Sequence, residues 1–212
     1  MPETTVLTPR QIRDHTYPLL LAVTDRGTKG RPGFTYARPV GEDLVEFLAH
    51  RDGDDLRLLH DGEVATVGAA ELFTLARERL RLLPFESSEC VQQDGGEFYV
   101  LRGAAELTAG KLVLLPDVLR SVLGVATETP AGLLVSVPTP HELVCAPVAG
   151  DLPATLLYLA RYTLMTYEQS RRPLSPITYW WHEGVLTPVV TMDEDGMVDF
   201  RLPPAFLDAA AS

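Results

Sequence analysis

At 212 residues with 46% hydrophobic content, the chain is long enough to bury a substantial core, as one large domain or two small ones. Its net charge of −11 sets it against phosphate backbones. Its two basic groups, Arg26/Lys29/Arg31 and Arg77/Arg79/Arg81, are too small to reverse that, so nucleic acid is not an expected partner. The longest apolar runs, residues 18–23, 112–116 and 132–137, fall far short of the roughly 18 residues a membrane span needs. No membrane partner is expected, and the absence of a basic-then-apolar leader points to the cytoplasm.

In chain order, Thr8-Pro9 predicts a capped helix start, followed by a short helix through Ile12 and His15. Residues 17–23 form an apolar run suited to a buried strand. Residues 24–33 (TDRGTKGRPG) read as a flexible basic glycine loop. A strand at 44–49, a turn at Asp52-Gly53-Asp54 and a strand at 56–59 form a hairpin, and His60-Asp61-Gly62 closes another turn. Between Glu42 and Glu63 stand eight acidic residues (Glu42, Asp43, Glu46, Asp52, Asp54, Asp55, Asp61, Glu63) against Arg51 and Arg57, the most negative stretch in the chain.

Residues 69–83 predict a helix whose buried face carries Leu72, Leu75, Ala76, Arg79, Leu80 and Leu83, with Pro84 ending it. Strands at 89–92 and 98–101 flank the turn Gln93-Asp94-Gly95-Gly96. A helix over 106–115, weakened by Gly110, leads to a second short helix from Pro116 to Gly124. A buried strand at 133–137 and a returning partner at 142–146 follow. Residues 151–169 predict the second main helix, with an Asp151 cap, Pro153 in the first turn, and a stripe of Leu156, Leu157, Ala160, Leu164 and Tyr167. Short strands at 177–181, 185–190 and 197–201 close the chain, Pro188 marking the middle one as an edge and the Ala-rich tail reading as frayed.

The expected class is α+β: a mixed or mostly antiparallel sheet packed against two main helices, about 69–83 and 151–169, with further short helices. A single domain over 1–212 is expected, with 1–50 as a candidate N-terminal lobe and 185–212 as a C-terminal hairpin extension. Cys90 and Cys145 show no zinc or CxxC spacing and read as buried free thiols.

Chemistry-bearing motifs are sparse. His141-Glu142 and His182-Glu183 do not extend to HExxH, and strand neighbours point to opposite faces, so neither pair shares a metal. No serine stands in a GxSxG setting, and the 27–33 glycines match no phosphate-binding fingerprint. No catalytic, cofactor or metal residues are assigned. Tyr179-Trp180-Trp181 is the aromatic concentration. In a strand Trp180 faces one way and its neighbours the other, so a ring near the surface, able to anchor a partner, is expected unless both sheet faces are covered.

Between residues 56 and 184 the order of pieces resembles the bacterial YtpQ-like family, a domain of unknown function. The pieces are LRLLHDGE and AAELFTLARERLRLL, the hairpin QQDGGEFYVL, GKLVLLPDVL, LLVSVPTPHELVCAPV, a long helix, and PLSPITYWWHEG. The resemblance implies a compact cytosolic α+β domain and carries over no catalytic residues. The expected function is a non-catalytic protein-interaction domain, an adaptor or a neutralising, immunity-type partner of another, basic, protein. Its expected contacts are Tyr179, Trp180, Trp181, Asp54, Asp55, Arg26, Lys29 and Arg31. A small-molecule binding or sensing domain and an unrecognised enzyme are the alternatives, and homo-oligomerisation is left open.

Overall fold

The computed structural model describes residues 7–23, 32–123, 131–193 and 197–211. Two antiparallel sheets, rather than one, organise the chain. The smaller sheet is centred on β3 (Leu44–Asp52). β1 (Thr16–Ala22) runs along one side of it from Thr16 opposite His50 to Ala22 opposite Leu44. Along the other side lie β2 (Arg38–Pro39) and β4 (Asp55–Leu58), the latter joined by the Gly53-Asp54 turn.

α1 (Pro9–His15) opens with Thr8 as expected: its hydroxyl accepts from the Gln11 N–H while the Gln11 side chain accepts from the Thr8 N–H. The expected turn after His60 is instead a one-turn helix, α2 (Asp61–Ala65), because Glu63 accepts from the His60 N–H and closes a capping box. α3 (Ala69–Leu82) packs across β1. Together α1, α2 and α3 cover one face of the small sheet, with Ile12, Leu48, Leu59, Val64, Leu72, Phe73 and Ala76 in one cluster. Phe73, and not Leu75, completes the buried stripe of α3.

The larger sheet has seven strands in the order β11-β10-β9-β7-β8-β6-β5, antiparallel throughout. Its first hairpin is β5 (Ser87–Gln93) and β6 (Gly96–Arg102). The turn residues Asp94 and Gly95 have φ of 46° and 91°, the left-handed pair that matches strand twist. A 3-10 turn (Ala109–Leu114) replaces the expected helix over 106–115, and the second expected helix stands as α4 (Leu115–Val118) running into one π turn (Leu119–Leu123). Gly124, the expected stop, lies outside the described residues. β7 (Leu133–Ser136) and β8 (Glu142–Pro147) are central and almost wholly buried. α5 (Leu152–Gln169) is capped by Asp151, whose carboxylate accepts from the Ala154 N–H at 3.1 Å.

The stripe of α5 sits differently from its apolar pattern: Thr155, Leu156, Leu159, Ala160 and Thr163 are buried while Leu157 is exposed. Threonine is tolerated there because the Thr163 hydroxyl donates to Leu159 O at 2.9 Å and shares a bond with Ser136 Oγ at 2.7 Å.

β9 (Thr178–His182), β10 (Val185–Met192) and β11 (Val198–Phe200) extend the large sheet. β10 is not an edge. Pro188 is accommodated by a bulge, the register to β9 shifting between Pro188 and Val190. The tail is not frayed but forms α6 (Pro204–Ala210), anchored by buried Phe206.

Both faces of the large sheet are covered. α5 and α6 close one, over Phe98, Val100, Leu134, Val144 and Trp180. The 109–118 segment with Leu20 of β1 and Leu44 of β3 closes the other, over Leu101, Leu133, Val135, Leu143 and Tyr179. Cys145 is buried in this core, its thiol pushed up to about 12 by burial, whereas Cys90 lies exposed on β5 against expectation; both are free.

Candidate functional site

Where the two sheets meet, the chain builds a cleft of about 360 Å³. Four pieces form it. The C-terminal turn of α3 contributes Leu80 and Leu83, and Pro84 then leads away toward β5. The tip of the β3–β4 hairpin supplies Arg51, Asp54 and Leu56. The loop 103–108 forms the floor, and the turn between β7 and β8 brings His141.

The floor is stitched in place. The Gly103 N–H donates to His141 O at 3.1 Å, and the Ala109 N–H donates to Pro140 O at 3.0 Å. Gly103 is required because any Cβ there would run into Thr108 Oγ1, which itself donates to Ala105 O at 2.9 Å. Gly110 lets the next turn lie against β1, where an added Cβ would sit 3.1 Å from Pro18 O. That close packing delivers Lys111 beneath the Leu83-Pro84 crossover.

Lys111 is the unusual group. It is only 6% exposed. Its Nζ donates to Leu80 O at 3.0 Å, in the last turn of α3, and stands 4.8 Å from the centre of the Phe85 ring. Both contacts favour a cation, one through the helix dipole and one through the ring quadrupole. Among the described residues, however, no carboxylate lies within 4.0 Å of it. Asp117 supports its charge from further away but is itself paired with Arg81 at 2.6 Å and Arg120 at 3.7 Å. Burial therefore holds Lys111 below the ordinary lysine range. Lys111, Leu83 and Pro84 also line a second cavity of about 540 Å³, so Lys111 forms part of the wall of both.

Arg51 adds a second cation to the first cleft. Its Nε donates to Gly53 O at 2.8 Å within its own hairpin, and its contact to Asp54 is a loose 4.0 Å. Glu106 is taken up by an ion pair with Arg172. The result is a pocket with an apolar wall, one imidazole, the cations Arg51 and Lys111, and the carboxylates Asp54, Glu86 and Glu106 on its lining, of which Asp54 reaches Arg51 and, among the described residues, none comes within 4.0 Å of Lys111. It contains no nucleophile held by a base, and among the described residues no three His, Cys, Asp or Glu side chains converge to hold a metal.

The residues expected to contact a partner are scattered. Tyr179 and Trp180 are core residues, because the sheet is covered on both sides. The Trp180 Nε1–H donates to Ala131 O at 2.8 Å, its ring stacks on His182 and meets Phe206 edge-on, and Tyr179 donates to Asp43 across the two sheets. Of the three aromatics, Trp181 alone is not fully buried, lining a separate depression of about 370 Å³ beside Arg38 and Arg77. Asp54 and Asp55 are exposed at the hairpin tip, Asp54 on the rim of the Lys111 cleft. Arg26, Lys29 and Arg31 lie outside the described residues.

Nor does the acidic stretch form one face. Glu46 is buried against Arg77, Glu63 is paired with Arg57, Asp61 caps the Thr35 N–H, and Asp43 accepts from Tyr179. Asp52, Asp54 and Asp55 remain as a small exposed cluster at one end of β3, and Glu42 is exposed at the other. Lys111 escaped the sequence reading because it interrupts an apolar run. A lone lysine between Gly110 and Leu112-Val113-Leu114-Leu115 was the signal. Comparison with known protein families, with curated proteins and with solved structures finds no match.

Proposed function

We propose that this chain binds a small anionic molecule in the cleft at the sheet junction, with Lys111 as its counter-charge and Arg51 at the mouth. The observation that carries the reading is a buried ammonium, bordered by a cavity of about 360 Å³, with no carboxylate within 4.0 Å among the described residues. Burying a cation without a partner costs stability, and a bound carboxylate or phosphate removes that cost. The apolar wall of Leu56, Leu80, Leu83 and Leu107 suits a ligand with a hydrocarbon or ring body behind its anionic head.

The test is thermal denaturation of the chain with a panel of carboxylates and phosphate monoesters, followed by calorimetric titration of any hit. A specific ligand at a hundredfold excess over its Kd stabilises the fold by about 2.7 kcal/mol. Lys111→Met abolishes that gain while remaining folded. If no anion shifts the melting, or the shift survives Lys111→Met, the reading falls.

A second reading, a non-catalytic interaction domain that binds a basic protein, is favoured by the exposure of Asp52, Asp54 and Asp55 at one hairpin tip. It has lost the aromatic anchors Tyr179 and Trp180 to the core. We further propose kinship with the YtpQ-like family on the order of pieces between 56 and 184, which supplies no residue to the cleft.

A further inference from the structure

The two outer strands of the large sheet are built differently. β5, at one edge, carries Ser87, Ser88, Glu89, Gln92 and Gln93 exposed, the polar dressing that keeps sheet edges from pairing. β11, at the other, sets Val198 and Phe200 around Asp199 and is open. Met197, Val198 and Phe200 are 66%, 43% and 45% exposed, and no strand pairs with its outer side among the described residues.

The backbone of β11 is set for pairing. The Arg201 N–H donates to Val189 O and the Asp193 N–H to Met197 O, both at 2.9 Å. The odd-numbered residues thus turn their main chain toward β10. By the alternation of an antiparallel ladder, Val198, Phe200 and Leu202 present theirs to the open edge.

We propose that β11 pairs antiparallel with β11 of a second copy of this chain, about a two-fold axis at Phe200. This register is self-complementary. Phe200 stands opposite its own counterpart, and Val198 opposite Leu202, with their outward N–H and C=O groups exchanging bonds. Asp199 then faces Arg201 of the other copy on the opposite face. Within one chain Arg201 Nε already donates to Asp199 Oδ2 at 2.7 Å, both side chains half-exposed, so the dimer closes a ring of alternating charges. A shift of one residue, centring the axis on Asp199, sets two carboxylates against each other and turns the wrong main-chain groups outward. Exposed Val198 and Phe200 on one face, alternating Asp199 and Arg201 on the other, and edge groups with no strand partner among the described residues favour a second copy over a foreign strand, which would need to supply the same pattern.

The experiment is sedimentation velocity on the whole chain across a wide concentration range. Wild type is expected to sediment as a dimer. Phe200→Glu and Asp199→Arg are each expected to be monomeric with unchanged circular dichroism, and the double exchange Asp199→Arg/Arg201→Asp to recover the dimer. In a Cys90→Ser background, Phe200→Cys is expected to oxidise to a disulfide-linked dimer because it meets itself across the axis, while Asp199→Cys does not. A wild-type monomer at every concentration, a dimer indifferent to both single changes, or failure of the double exchange to restore association overturns the proposal.

Discussion

Glu46 and Arg77 form an ion pair whose two halves are unequally buried, and that inequality fixes what each mutation should cost. The Glu46 side chain on β3 is 1% exposed; that of Arg77 on α3 is 35% exposed. The fork is bidentate, Arg77 Nε to Oε1 at 3.1 Å and Nη2 to Oε2 at 2.6 Å. Arg38, opposite Glu46 in the β2–β3 register, is occupied over the Phe73 ring, 3.7 Å from its centre. Arg77→Met therefore leaves a buried carboxylate without its partner on the wall of the 370 Å³ depression and should cost about 3–5 kcal/mol. Glu46→Gln leaves a guanidinium that still reaches solvent and an amide that still accepts one bond, and should cost about 1–2 kcal/mol. Glu46→Leu/Arg77→Met removes both charges and should lie within about 1 kcal/mol of wild type, well short of the sum of its parts. Urea unfolding followed by tryptophan fluorescence gives each value from the midpoint at constant slope. If Arg77→Met costs no more than Glu46→Gln, water reaches Glu46 and the burial argument is wrong.

Two further outcomes follow from the same physics. The depressed Lys111 pKa means the unfolded chain holds this proton up to its ordinary value of 10.5 while the folded chain releases it earlier, so unfolding takes up a proton in that window. Wild-type stability relative to Lys111→Met should therefore rise as pH climbs from neutral toward 10.5; parallel urea-midpoint curves for the two proteins would show that burial does not perturb the amine. Trp180→Ala should cost about 3–5 kcal/mol, as for a large ring removed from a core, and Trp181→Ala, where the ring is not fully buried, markedly less. Chemical denaturation of the pair tests whether it is the face of β9, rather than ring size, that sets the energy.

What could be read from the sequence was what local chemistry decides. Thr8-Pro9, Asp151 with Pro153, and Asp94-Gly95 each impose a cap or turn regardless of the rest of the chain, and each stands where expected. What escaped depends on which element covers the second face of a sheet, a long-range property. The alternation of β9 predicts an outward ring, yet α6 from the C-terminal end and the 109–118 segment from the middle of the chain cover both sides. Pro188 predicts an edge only when no bulge absorbs it. α5 buries threonines because Ser136, in a strand nearly thirty residues earlier, meets one of them.

The same long-range assembly explains why Lys111 stands apart. In this interior Glu46 is met by Arg77, and Glu142 is met by Arg102 at 2.7 Å. Lys111, also buried, is met by a backbone carbonyl and a ring, with no carboxylate within 4.0 Å among the described residues. Methionine or leucine would fill that position without the cost of desolvating a charge, and would suit the apolar run in which it sits. Among the described residues, Glu46 and Glu142 each have a guanidinium and Lys111 has no opposite charge within 4.0 Å, and that mismatch is the observation on which the proposed anion site rests.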